Sequence, residues 1–260
     1  MNRRDACRAI AAAFITPLAA RGIQLLDDAR PTLFKTTDYI TIPLRIHVLK
    51  SDALSDLNCL LKDADLRRIL GKVNGIWRQA GVHWGVETIV HEPAANVERL
   101  QAARDEKGAN ALRAYRMIRP PASRKFDGLH VYYIHKFPVN GVYYGDRTAL
   151  VQDSARLRPV PGGIDEPIPR VTAHELGHAL GLPHRQDRTN LLASGTNGTS
   201  LNVDEVMRAR EFAAKMPGSM TFSALRENLK RVEAEVDKAQ SQRLRGWLRE
   251  IETGPSSTKP

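Results

Sequence analysis

Apolar residues recur along this chain with two periods, and the changes from one to the other mark out its elements. Residues 39–49 alternate, and Ile40, Ile42, Ile46 and Val48 are β-branched, the pattern of a strand. Residues 51–58 are polar and read as a loop. Over residues 63–80 the spacing becomes helical, with Leu66, Ile69, Leu70, Val73, Ile76 and Trp77 on one stripe, and Gly81 ends the run. Residues 82–90 return to strand patterning. A strand, a helix and a strand of these lengths predict a right-handed parallel crossover unit.

Residues 96–118 are charged and helical in propensity, interrupted near Gly108, and predict an insertion packed on the outside. Residues 119–127, with Pro120 and Pro121, read as a loop, and residues 129–134 as a core strand. Residues 141–145 read as a glycine-bounded turn or bulge, followed by a short strand over 149–152. Four prolines and the Gly162-Gly163 pair stiffen a loop over residues 158–170. Asn202 and Glu205 have capping-box spacing and start a helix that runs to about Lys215. Residues 221–251 read as one long helix. Its stripe of Phe222, Leu225, Leu229, Val232 and Val236 resumes one residue out of register at Leu244, Trp247, Leu248 and Ile251. A single apolar stripe docks on something, either its own domain or a second copy. Residues 254–260 read as a tail.

Composition narrows the classes. The 260 residues, 42% of them apolar, suffice for one sizeable core. The net charge of +10 comes from Lys and Arg dispersed among Asp and Glu, without a basic stripe interleaved with aromatics. That distribution excludes a nucleic-acid binder and leaves only a weak attraction to anionic surfaces or substrates. The start of the chain, with Arg3 and Arg4 before a mostly apolar run over residues 9–20, predicts a secretory leader, and the arginine pair resembles a twin-arginine signal. The competing reading is an amphipathic N-terminal helix. The run is too short to span a bilayer, and no later segment approaches that length. Of the two cysteines, Cys7 falls in the leader, which leaves Cys59 as a buried small apolar residue.

The chemistry is concentrated in residues 174–184. His174 and His178 sit at i and i+4, so on a helix both imidazoles project from one face and can reach one zinc ion. Glu175, beside the first histidine, can hold and deprotonate the zinc-bound water. Gly181 permits the positive φ that ends a helix, and the turn would return His184 as a third ligand, leaving a fourth position open as in catalytic zinc sites. A lone helical histidine is usually a core or surface residue. In a chain with 8 His and 18 Gly the joint pattern arises by chance on the order of once in ten thousand, which decides for the metal site. His130 and His135 are not assigned as ligands.

These eleven residues resemble the zinc signature of the metzincin clan of metallopeptidases, and residues 172–182 are most similar to its matrixin branch. Arg185 departs from the Ser, Asp or Glu that matrixins, adamalysins and astacins carry after the third histidine, and no Pro-Arg-Cys-Gly-type inhibitory switch precedes the domain. The resemblance implies an α/β (α+β) zincin fold: a twisted, mostly parallel sheet with an antiparallel edge strand, a zinc-binding helix and a helical C-terminal subdomain. It implies one catalytic zinc on His174, His178 and His184, with Glu175 as the acid–base residue. The implied substrate is an extended peptide or protein segment paired with the edge strand, placed by position at residues 147–153. An edge strand with no substrate role is the alternative. Residues 189–195 occupy the place of the Met-turn, with Leu192, of nearly equal volume, where Met is expected. The Tyr that several branches place just after that turn is missing; Tyr143 and Tyr144 are the other candidates, neither assigned. Asp165 and Glu166 read as solvated or paired with an arginine; the sequence gives no support for calcium there.

The expected organisation is a leader over 1–20, a linker over 21–37, a catalytic domain over 38–220 and a C-terminal helix and tail over 221–260. The expected function is a secreted zinc endopeptidase. A secreted zinc-binding module that holds peptides without cleaving them would keep the ligands but has no need of Glu175. A zinc hydrolase of a non-peptide amide is compatible with the same residues.

Overall fold

A computed structural model describes residues 34–103 and 109–254. The leader, Cys7, most of the linker, the break near Gly108 and nearly all of the C-terminal tail lie outside the described residues. The expected crossover unit is present: β1 (Ile40–Lys50), α1 (Asp63–Trp77) and β2 (Val82–Pro93), with β1 and β2 parallel. The insertion contributes α2 (Val97–Ala102) and α3 (Ala109–Met117) before β3 (Leu129–Ile134). Then come β4 (Gly141–Tyr143), β5 (Thr148–Gln152), α4 (Pro167–Ala179), α5 (Val203–Lys215), β6 (Met220–Thr221), α6 (Phe222–Ala234) and α7 (Lys238–Thr253).

The sheet runs in the order β2-β1-β3-β5-β4, with β6 pairing antiparallel to the start of β1. The edge strand lies elsewhere than expected. Residues 148–152 form an interior strand parallel to β3, and the antiparallel edge is β4, in the segment read as a turn. Ala149, Leu150 and Val151 are all buried, so β5 is covered on both faces and carries no alternation. At three residues, β4 is too short to show a period at all.

Alternation along β1 and β3 divides the molecule into two layers. Ile42, Leu44, Ile46 and Val48, with Val131 and Tyr133, face α1 and α4 and pack on Val73, Trp77, Val171 and Leu176. Leu49, Tyr132 and Ile134 face the other way and are covered by Leu100, Ala114 and Ile118 of the insertion. Cys59 is fully buried, and burial pushes its thiol up to about 12, so it is an inert core residue.

The long C-terminal helix is in fact a helical hairpin. Val236 adopts a left-handed φ of 61° and is 73% exposed, and Asp237 caps α7 by accepting from the Gln240 amide at 3.0 Å. The one-residue slip in the apolar stripe is this break. Each arm then turns its stripe inward: Phe222, Leu225 and Val232 share a core with Leu244, Trp247, Ile251 and Tyr39. The hairpin docks on its own domain at the β2 edge of the sheet. There the Trp247 indole N–H donates to the Val86 carbonyl at 3.1 Å and Arg243 donates to that of Glu87 at 3.2 Å. Among the described residues no helix is long and apolar enough to cross a membrane.

Candidate metal centre

Pro167 opens α4 at a position where its missing N–H costs nothing. Just before it, Asp165 and Glu166 are tied to α1: Lys72 reaches both at 3.0 Å and Arg68 also bonds Glu166. These carboxylates are satisfied by cations of the protein. Three turns on, α4 ends as Leu182 N–H bonds back to the Gly177 carbonyl at 3.0 Å and Gly181 takes a φ of +74°. A Cβ on Gly181 would lie 2.6 Å from the Phe212 ring, so both conformation and space demand glycine. The reversal brings His184 back to the helix.

The three histidines converge. Their Nε2 atoms are 3.1 Å apart for His174 and His178, 3.2 Å for His178 and His184, and 3.3 Å for His174 and His184. The opposite nitrogens fix two tautomers. His178 Nδ1 donates to the Leu182 carbonyl at 2.8 Å, and His174 Nδ1 lies 2.8 Å from the Leu191 carbonyl and 3.2 Å from the Arg170 guanidinium; the shorter carbonyl contact takes the His174 hydrogen, so each neutral ring turns a bare Nε2 lone pair inward. Burial, reinforced by Arg170, holds the His174 pKa down to about 3, and burial also lowers that of His178. Lone pairs at these distances repel unless a cation lies among them. A tetrahedral ion with bonds of about 2.0–2.1 Å has nitrogen–nitrogen edges of about 3.3–3.4 Å, so the donor set fits a metal ion in both chemistry and dimensions. Among the described residues this is the one such group of histidines, cysteines and carboxylates. His130 and His135 are engaged elsewhere, His135 with Asp153 at 2.8 Å.

Glu175 follows on the same helix and is only 5% exposed. Burial pushes its carboxyl up to about 8, against the opposing pull of the Arg170 charge and a bond from the Tyr143 backbone N–H. Strand β4 makes room for it: a Cβ on Gly141 would lie 2.9 Å from Glu175 Oε1 and 2.8 Å from Val171 Cγ1. The two tyrosines of this segment turn their hydroxyls elsewhere. That of Tyr143 accepts from the Arg147 amide and that of Tyr144 donates to the Leu112 carbonyl.

Under the histidines lies the 189–198 loop. Leu192 is fully buried and packs against Gly177 of α4. Two buried charges hold the loop, and neither was singled out as a site residue from the sequence. Arg170, 1% exposed, donates to the carbonyls of Gly198 at 3.1 Å, Ala193 at 2.5 Å and Asn190 at 3.4 Å. Glu205 accepts from Arg185 at 2.5 Å, from the Asn190 side chain at 2.8 Å and from the Asn202 amide at 2.9 Å. Asn190 joins them, and its side-chain oxygen also takes the Leu192 amide at 2.7 Å. Arg185, the departure from the clan pattern, thus fixes the residue next to His184. Arg170 stands at i−4 from His174, a spacing that could have drawn attention to it. Glu205 was legible only as a helix cap.

No protein-family model matches the sequence, and no curated protein matches it. Solved structures do. Archaemetzincin from Methanopyrus kandleri is 18% identical with a TM-score of 0.36, over 67% of this chain and 94% of that one. Metalloproteinase-II from Bacteroides fragilis is 12% identical with a TM-score of 0.39, over 70% of this chain and 55% of that one. A promirolysin variant from Tannerella forsythia is 11% identical with a TM-score of 0.40, over 95% of each chain. These likenesses are distant. The histidine cluster itself fits the H-E-x-x-H-x-x-G-x-x-H signature.

Proposed function

We propose that this chain is a zinc-dependent endopeptidase of metzincin type in which His174, His178 and His184 hold one zinc ion and Glu175 is the general base. The observation that carries the reading is the convergence of three inward-facing imidazole nitrogens beside a buried carboxyl whose pKa lies near 8. Zinc, when bound, supplies Lewis acidity toward a carbonyl oxygen and toward water, and its charge favours the ionised form of the Glu175 carboxyl. Glu175 takes the proton of the attacking water and passes it to the leaving amine. The Tyr143 amide holds that carboxylate in place. Strand β4 is the antiparallel edge of the sheet and touches Glu175 through Gly141, so an extended peptide added to β4 passes directly by the base. Export rests on residues 1–20, and a secreted form beginning near Arg21 is its test.

The deciding experiment separates binding from chemistry. Glu175→Ala is expected to keep zinc and fold while losing at least about 10²-fold in peptide cleavage. His184→Ala is expected to lose metal and activity together, and a chelator to silence the wild type. If the wild type cleaves no member of a diverse peptide library yet binds peptides as well as Glu175→Ala does, the chain is a binding module. Cleavage of non-peptide amides alone would move the substrate class and keep the mechanism.

A further inference from the structure

On the sheet face under the insertion runs a buried polar chain that the proposed chemistry does not use. His47 Nδ1 lies 2.7 Å from Glu92 Oε1, His47 Nε2 lies 2.9 Å from His130 Nδ1, and His130 Nε2 lies 3.0 Å from the Phe126 carbonyl oxygen. His47 is fully buried and stacks on the Tyr132 ring at 4.2 Å, so it cannot swing away. The hydrogens along this chain can be counted. A carbonyl only accepts, so His130 Nε2 carries a hydrogen. A neutral His130 then accepts at Nδ1, and His47 must donate from Nε2. A neutral His47 is left accepting at Nδ1, and its contact with Glu92 needs a hydrogen from the carboxyl. Three hydrogen bonds require three protons, and two neutral imidazoles supply two.

We propose that Glu92 and His47 together hold one extra proton in the folded protein at neutral pH, and that this proton latches the 119–127 loop onto the sheet. Burial favours it, against the pull of the Arg45 charge and of the Ser123 hydroxyl on Glu92. Arg45 faces both histidines and Glu92, paired with Glu87 at 3.1 Å and stacked over Phe126 at 4.4 Å. Arg119 and Arg147 also act on His130, and they pair with Asp146 at 3.1 Å and Asp127 at 2.7 Å. Ser123 bonds the Glu92 carboxyl and meets the Tyr132 hydroxyl at 2.8 Å. Burial raises the Glu92 pKa and holds that of His47 down to about 3, with His130 and Arg45 adding to the latter, so the shared proton sits on the carboxyl.

Loss of that proton has a directed consequence. His47 can turn its hydrogen toward the new carboxylate, but His130 must then donate from Nδ1, and its Nε2 turns a lone pair on the Phe126 carbonyl. The missing hydrogen bond is handed along to the loop. The same segment grips the β4–β5 turn through Arg119 on Asp146 and Asp127 on Arg147. Its fastening therefore bears on the strand that holds Glu175, and that last step alone rests on the proposed function.

The test is the pH dependence of folding for the full chain against Glu92→Gln, whose amide supplies the hydrogen without ionising. The Glu92 pKa is raised in the fold, so its contribution is lost as pH rises. From about pH 5, just above the ordinary glutamate pKa, up to pH 7 the wild-type folding constant should fall relative to that of Glu92→Gln by an amount approaching about tenfold per pH unit, one proton's worth. Parallel curves would overturn the proposal. Nitrogen-15 spectra of wild-type protein give a second reading that needs no variant. At pH 7 His130 should carry its hydrogen on Nε2 and lose it there at alkaline pH, and a bare Nε2 at pH 7 would equally overturn it. Neither measurement depends on zinc or on cleavage, so each stands or falls apart from the peptidase reading.

Discussion

At Gly141 the missing side chain decides whether Glu175 fits. A methyl group there would press on Glu175 Oε1 and Val171 Cγ1 at distances that real contacts do not show. Gly141→Ala should therefore displace Glu175, the proposed base, and cost up to about 10²-fold in peptide cleavage, the scale of a misplacement near 1 Å, while zinc content by metal analysis stays at the wild-type level. An unchanged cleavage rate would mean that β4 does not set the position of Glu175. Leu192 makes the opposite case, a site where chemistry is free to vary within a volume. Leu192→Met should change stability by less than about 1.5 kcal/mol in urea unfolding and keep activity. Leu192→Asp, which buries a charge against α4, should abolish zinc retention. The histidines and Glu175 were legible because their relation is local, set by one helix and one glycine turn. Arg170, Asn190 and Glu205 were not, because a charge becomes a site residue only when distant carbonyls and amides fold around it.

Elements were legible wherever their signals were local and long enough. The crossover unit, the capped start of α5 and the core strand β3 all carry periods or caps that hold over a full turn or several alternations. Strand β4 failed on length; β5 was read as a strand, but its place at the edge was wrong, because burial on both faces erases the alternation that would tell edge from interior. The hairpin of α6 and α7 announced itself only as a phase slip, since Val236 continues the apolar count while its backbone turns left-handed and its side chain faces solvent. Its docking is testable at one residue. Trp247 is nearly buried, shares a core with Tyr39 and Phe222, and covers the Val86 carbonyl on the outer strand. Trp247→Ala should cost about 3–5 kcal/mol, the range for emptying an aromatic site, measured as a shift in the urea midpoint with unchanged slope. A loss below about 1 kcal/mol would show that the hairpin rides on the sheet without stabilising it.

At the scale of the whole molecule, a buried histidine gives stability a defined response to acid. His83 lies in β2 beneath α7 and is almost fully buried. Its Nε2 is 3.3 Å from Glu250 Oε2, a distance that reads as an ion pair. Burial argues otherwise: it lowers the His83 pKa to about 3, so the imidazole stays neutral and the contact with the exposed Glu250 carboxyl gains little from charge. The sign of the pH effect follows. In the unfolded chain a histidine takes up a proton near pH 6.5, whereas the folded one resists until about 3. The unfolded state thus binds more protons throughout that window, and the contribution of His83 to stability, fully present above it, is lost as pH falls. The slope approaches about 1.4 kcal/mol per pH unit while one proton separates the two states. Replacing the imidazole by a neutral amide in His83→Gln removes the titration but keeps a polar side chain. Urea unfolding from pH 7 down to pH 4 should show the wild type losing stability faster than the variant by up to that slope. Equal slopes would mean that His83 is protonated in the fold and paired with an ionised Glu250.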